Sequence, residues 1–327
     1  MFSSIRYLNF KVLRDATLPL GPFTLLVGPN GSGKSTALQA LQLAASRSGF
    51  SYDRVQTLWS KEAPQVVIAF ADESEDGARY RVVLNSDGRI AVTYPAGSDP
   101  NRINALLGST KFFSFDPVVL ATVSGIQPSA QLGPNGQELV AVVDRLRDQD
   151  PERFEKLNVD LSRWLPEFDR ILFDNPAPNN RELLLRVAES KRGIRASELS
   201  HGTLFALALL TLANLNALPS FVSIEEPDRG VHPRMLRRVQ DALYRLAFPQ
   251  DYGDSRSPVQ VVITSHSPFL LDLYRDHPEQ IVIAERKPDG AEFTRLVDRS
   301  DVSELLGDAS LGDLWYSGIL GGVPLEP

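Results

Sequence analysis

The chain has 327 residues, with 41 acidic and 34 basic side chains, no cysteine and four histidines. That composition excludes a disulfide framework, a thiolate nucleophile, an iron–sulfur cluster and a cysteine zinc site, and no HxxxH spacing pairs the histidines on a metal. A net charge of −7 argues against a chain that coats nucleic acid non-specifically, and 27 arginines against 7 lysines read as codon bias.

The first residues, Met1-Phe2-Ser3-Ser4-Ile5-Arg6-Tyr7, carry no basic region followed by an apolar core, so they do not read as a secretory signal. The longest apolar stretch, Leu204 to Leu215, is broken by Thr211 and Asn214 and is too short for a membrane span. The expectation is a cytoplasmic protein with no membrane partner.

In chain order, strands are predicted at Phe2 to Phe10 and Ala16 to Leu20, then a buried one at Phe23 to Val27 that stops at Gly28. A helix with an apolar face (Ala37, Leu38, Leu41, Ala44) begins near Lys34. Three β-rich runs, Gln65 to Ala71, Tyr80 to Leu84 and Arg89 to Tyr94, are separated by Asp76-Gly77 and Ser86-Asp87-Gly88, which predicts an antiparallel meander. Residues 96–135, rich in Gly, Pro, Ser and Asn, read as loop and linker. Helices follow over Gly136 to Arg147 and from Asp150-Pro151, where an N-cap precedes a proline at the first helical position. Strands near Arg170 to Phe173 and Glu182 to Val187 lead to a long apolar helix over Gly202 to Leu215 and a strand at Phe221 to Ile224. Pro233 opens a basic amphipathic helix, and Val259 to Thr264 is a buried strand.

Gly28-Pro29-Asn30-Gly31-Ser32-Gly33-Lys34-Ser35-Thr36 fills every fixed position of GxxxxGK[ST], a pattern that chance supplies ~0.01 times in a chain of this size. The glycines let successive N–H groups face one centre, and the following helix adds its dipole for a phosphate. Lys34 supplies a cation for the β- and γ-phosphates of a nucleotide, and the Ser35 hydroxyl is a ligand for Mg²⁺.

Phe221-Val222-Ser223-Ile224 ends in Glu225-Glu226-Pro227, a strand that delivers two adjacent carboxylates in the manner of a Walker B motif. Glu225 suits the metal and Glu226 the attacking water; read alone, the pair would be a solvated acidic turn. Val261 to Thr264 runs into Ser265-His266, and Ser197-Glu198-Leu199-Ser200-His201-Gly202-Thr203 precedes the apolar helix.

With these motifs in this order, the chain resembles the ABC-type P-loop ATPases of the RecF, OLD and SMC-like group. Its LSxGT segment is similar to the ABC signature, His266 to the switch histidine, and Glu225-Glu226-Pro227-Asp228-Arg229-Gly230-Val231-His232-Pro233 to the group's EEPExGLHP segment. The opening Ile5 to Lys11 with Leu18 to Pro22, and the ending Ser310 to Trp315 through Gly321-Gly322, are similar to stand-alone ATPase heads of this group. The resemblance implies an α/β fold: a P-loop NTPase with an ABC-ATPase-like head, a mixed sheet with an antiparallel β meander, and a helical lobe. One head is expected over 1–327, one lobe from about 1–95 and 215–327, the helical signature lobe from about 96–214.

It also implies ATP and Mg²⁺ as cofactors. Gly28, Asn30, Gly31, Ser32, Gly33, Lys34, Ser35 and Thr36 would hold nucleotide, Ser35 and Glu225 the metal, and Lys34, Glu226 and His266 would do the chemistry. Ser200 and Gly202 would complete the site of the opposite subunit in an ATP-dependent head-to-tail homodimer. A Q-loop glutamine is missing, and Asp116 is its candidate counterpart. The implied use is DNA repair, genome maintenance or phage defence. No sustained heptads predict SMC-type arms, and the 61 residues after His266 are too few for the Toprim domain of OLD nucleases, so a nuclease or effector would be a partner protein.

Two alternatives stand beside this: a non-enzymatic ATP-gated scaffold for a toxin or nuclease, and a transporter nucleotide-binding subunit, against which Thr203 and His232 replace the expected glutamine and aspartate. Duplex DNA is a further candidate partner through Lys191, Arg192 and Arg195, or through Arg234, Arg237, Arg238 and Arg245 on one helix; a solvated basic face explains the same residues.

Overall fold

A computed structural model describes residues 1–47, 51–57, 60–71, 79–216, 218–302, 307 and 309–321; the Asp76-Gly77 turn and Gly322 lie outside the described residues. The chain divides into two compact units: Met1–Phe112 with Pro219–Ile224 and Val259–Pro327, and Phe113–Leu218 with Glu225–Pro258.

The first unit holds two sheets. Strands β1 (Phe2–Phe10), β2 (Leu13–Pro19), β4 (Gln65–Phe70), β5 (Tyr80–Leu84) and β6 (Ile90–Thr93) form a five-stranded sheet in the order β2-β1-β4-β5-β6. Its strands pair antiparallel throughout, β1 with β2 and β4, β4 with β5 and β5 with β6, so the meander expected over 65–95 is present, joined to the N-terminal hairpin. The six-stranded sheet runs β15-β14-β3-β13-β12-β7, with β3 Phe23–Val27, β7 Thr110–Phe113, β12 Phe221–Glu225, β13 Gln260–Ser265, β14 Ile281–Lys287 and β15 Gly290–Arg295. Here β3 is parallel to both β13 and β14, in register Ile263↔Leu25 and Ile283↔Val27. Every residue of β3 and of β13 is buried, as the continuous apolar runs require of strands covered on both faces. The helix Lys34–Ser46 contributes Ala37, Leu38, Leu41 and Ala44 to one core that it shares with residues of both sheets.

Residues 96–135 are more ordered than their composition suggested. Asp99 accepts a hydrogen bond from the Asn101 amide and Pro100 starts the helix Pro100–Gly108, which packs on the helix Lys34–Ser46. β7 then joins the edge of the six-stranded sheet, and Asp116 caps the short helix Pro117–Leu120 by accepting from the Val118 amide at 2.8 Å. Asp-Pro is the same N-terminal signal that correctly predicted the helix Pro151–Trp164, capped by Asp150. Such a cap contributes about 1 kcal/mol.

The second unit is built on four helices, Leu139–Gln149, Pro151–Trp164, His201–Asn214 and Leu236–Ala247, and on β8 (Ser124–Gly125), β9 (Phe168–Asp174), β10 (Asn180–Val187) and β11 (Gly193–Arg195). The first of these helices starts at Leu139 rather than Gly136, because Gly136 (φ +93°) and Glu138 (φ +64°) are left-handed and form a turn. Pro233 opens a 3₁₀ turn, Pro233–Met235, and the α-helix follows from Leu236. Residues 96–112 lie in the first unit and Glu225–Pro258 in the second, whereas the sequence division put its boundaries near 95 and 215. The chain leaves the six-stranded sheet at Glu225 and returns at Gln260, which no composition change marks.

Candidate nucleotide-binding site

The site starts from the buried strand β3, which ends at Val27 and releases the chain into Gly28. A Cβ on Gly28 would stand 2.3 Å from the Ala284 carbonyl oxygen and 2.8 Å from Ser32 Oγ, so the loop passes β14 with room for hydrogen only. Gly31 (φ +77°) and Gly33 (φ +98°) take left-handed conformations that turn the backbone into the helix Lys34–Ser46. Gly28→Ala is therefore expected to cost about 1–3 kcal/mol of stability. A thermal melt with and without ATP checks it, and an unchanged melting temperature would contradict the close approach.

Three features of the loop bear on what it could hold. The N-cap is Gly33, which has no side chain with which to cap the helix, and no acidic residue occupies the first turn. Ser32 Oγ is buried without a hydrogen-bond partner. Lys34, only 6% exposed, folds its ammonium over the loop and donates to the carbonyls of Gly28 at 2.8 Å and Pro29 at 2.9 Å. Ser35 and Asn30 are exposed and Thr36 is half-buried at the mouth. A helix N-terminus with its dipole and a neighbouring cation favours an anion.

The parallel pairing of β13 with β3 matches Ser265 to Val27, so His266 leaves its strand beside the point where Gly28 leaves the other. His266 is half-buried. On either side of it the polypeptide is pinned: Ser265 Oγ accepts from the Ser267 amide at 2.9 Å, and Ser267 Oγ accepts from the Leu270 amide at 3.2 Å. Arg286 also reaches the loop, its Nη1 donating to the Gly31 carbonyl at 3.4 Å. The sequence carried no signal for Arg286 or for the Ala284 contact, because both come from a strand near the C-terminal tail.

β12, next to β13 in the sheet order, ends at Glu225. Glu226 follows with φ +46°, a left-handed backbone unusual for a glutamate. It begins a turn closed by Arg229 N to Glu226 O at 3.0 Å and Val231 N to Asp228 O at 3.1 Å. His232 caps the next 3₁₀ turn, its Nδ1 accepting from the Arg234 amide at 3.2 Å.

In the second unit, Ser200 is the N-cap of the helix His201–Asn214, its Oγ accepting from the Thr203 amide at 3.2 Å. Capping alone accounts for a serine here. Gly202 has a separate cause: a Cβ there would stand 2.4 Å from the Gly230 carbonyl oxygen, so the start of this helix lies directly against the turn that follows Glu226. Ser200 and His201 remain exposed. Asp116, the Q-loop candidate, serves as the helix cap described above.

The basic residues are partly engaged. Arg245 pairs with Asp160 at 2.8 Å, Lys191 with Asp169 at 2.6 Å, and Arg195 lies 3.7 Å from Glu182. Hydrogen bonds from Arg186 and then Lys191 lower the Asp169 carboxyl from the usual 3.8 to about 2. A depressed carboxylate stabilises the fold above its unfolded pKa and loses that contribution as pH falls toward the folded value. Asp169→Asn should therefore be less stable than wild type at pH 7 and lose that difference between pH of about 4 and 2. Urea titrations across that range would read it, and a difference independent of pH would contradict the pairing.

With mixed α/β architecture, a phosphate loop after β3 and ordered acidic and histidine strand ends, the protein is an ABC-type P-loop ATPase by fold. It belongs to the family described as "AAA domain, putative AbiEii toxin, Type IV TA system", which matches residues 23–272. Among curated proteins it is similar to the OLD nuclease of Thermus scotoductus, 24% identical over 345 residues; the alignment covers 88% of this chain and 62% of that protein, so the chain spans under two thirds of its relative. Among solved structures it is similar to an SMC head bound to the C-winged helix domain of ScpA (TM-score 0.63, 15% identity, covering 90% of this chain and 96% of that one). An SMC head from Pyrococcus furiosus bound to the C-terminal domain of ScpA matches with TM-score 0.63 at 14% identity, covering 93% of this chain and 99% of that one. The SMC head domain from Thermotoga maritima matches with TM-score 0.53 at 16% identity, covering 90% and 98%. No helix among the described residues is long and apolar enough to cross a membrane.

Proposed function

We propose that the protein binds ATP with Mg²⁺ and hydrolyses it, and that ATP gates a head-to-tail homodimer. The observation that carries this is the phosphate loop, an uncapped helix N-terminus with the buried ammonium of Lys34 folded over it. In this reading Lys34 exchanges its two carbonyl acceptors for the β- and γ-phosphate oxygens, and the loop amides from Gly31 to Thr36 hold the rest of the chain. Ser35 and Glu225 offer hard oxygen ligands for Mg²⁺, which when bound neutralises phosphate charge. Glu226 orients or deprotonates the attacking water, and His266 contacts the γ-phosphate. Ser200 and the Gly202 amide act on the nucleotide of the second copy.

The use proposed for this motion is phage defence, DNA repair or genome maintenance in the cytoplasm. A second reading, an ATP-gated scaffold for a toxin or nuclease partner, is favoured by the family's description and by a relative named as a nuclease of which this chain spans 62%. Phosphate release from ATP, with Mg²⁺ and then with EDTA, tests the first reading, and light scattering with and without ATP follows the dimer. Metal-dependent turnover with an ATP-dependent rise in mass is the expected result. ATP binding and dimerisation without turnover would transfer the case to the scaffold.

A further inference from the structure

The helices Pro151–Trp164, His201–Asn214 and Leu236–Ala247 of the second unit line an open pocket of about 320 Å³. Leu210, Ala213 and Ala242 give it an apolar floor, while arginines and aspartates line the rest. Asp160 is already satisfied: it is 3% exposed, accepts from Arg245 at 2.8 Å and stands 3.8 Å from Arg163. Arg238 is not. The residue is half-buried, but its Nη1 is buried and has no hydrogen-bond partner.

A buried charged donor without an acceptor is costlier than a neutral one. Arg163, Arg238 and Arg245 against Asp160 and Asp241 leave the lining with one excess positive charge. The volume falls at the lower end of small-molecule pockets, larger than a bare phosphate needs.

We propose that this pocket binds a small molecule with a phosphate or carboxylate group on an apolar body. The anionic group accepts from the Arg238 fork, and the apolar body covers the Leu210–Ala213–Ala242 floor beside Trp164. Bound there, it ties the helix that begins at the Ser200 segment to the helix that follows the Pro227–His232 turn. This site is distinct from the phosphate loop and holds whether or not the chain turns over ATP.

Phenyl phosphate and benzoate are the probes, with inorganic phosphate reporting the anion alone. Calorimetry and thermal melts of the full chain are compared for wild type, Lys34→Ala and Arg238→Met. Expected is saturable binding of phenyl phosphate or benzoate to wild type and to Lys34→Ala, weakened at least about tenfold in Arg238→Met. Without probe, Arg238→Met should melt at or above the wild-type temperature, because the unpaired Nη1 donor is gone. Binding kept in Arg238→Met but lost in Lys34→Ala would place the anion in the phosphate loop and overturn the proposal. So would the lack of saturable binding of either aromatic probe to wild type.

Discussion

Glu226→Gln is expected to lower ATP turnover by about 10²–10⁴-fold, the range a positioned general base contributes. The substitution is nearly isosteric and keeps the left-handed backbone at this position (φ +46°), so the change is in proton affinity rather than in shape. Nucleotide binding at the Gly28–Thr36 loop should persist, because that cradle is built from the loop's own backbone and Lys34. Binding without hydrolysis traps the closed state, so an ATP-dependent dimer should accumulate in the variant and be transient in the wild type. Phosphate release and light scattering on the same sample read both effects. Unchanged turnover would remove Glu226 from its proposed role.

Gly202→Ala separates helix propensity from steric fit. Alanine is the better helix former by about 1 kcal/mol, which alone predicts a more stable chain. Its Cβ, however, would stand 2.4 Å from the Gly230 carbonyl oxygen, with the Gly230 carbonyl carbon at 3.3 Å. Both are backbone atoms and have no rotamer through which to retreat, so the helix start or the 226–232 turn must shift. The steric cost of forcing a methyl into packed surroundings is about 1–3 kcal/mol, enough to reverse the propensity gain. The melting temperature should fall by several degrees. ATP binding at the phosphate loop should stay near wild type while the ATP-dependent dimer is lost. A raised melting temperature would show that propensity wins and that the contact is looser than described.

The strand–loop–helix of the phosphate site was legible because one short segment specifies all of it: a buried run, glycines where φ is positive, and an amphipathic helix. The ends of β12 and β13 were legible for a similar reason, since buried strands stop where polar residues begin. Residues 96–135 are poorly legible because their average Gly, Pro and Ser content masks the Asp99-Pro100 cap, whose effect depends on position rather than composition. The tight approaches of Gly202 to Gly230 and of Gly28 to Ala284 join residues distant in the chain. Nothing local distinguishes such glycines from glycines of an ordinary turn. Ser200 shows the converse difficulty, because one serine satisfies the demands of a helix cap and of a phosphate ligand equally well.

The left-handed backbone of Glu226 bears on how this position evolves. Holding a glutamate there costs about 1 kcal/mol that glycine would not incur and asparagine would incur less. Only a requirement for the carboxylate opposes that drift. Lineages that retain hydrolysis should keep glutamate after the strand despite the strain, whereas lineages that have abandoned it should accumulate glycine or asparagine at this one site. The residue found there in a relative would then report whether its ATPase is still under selection.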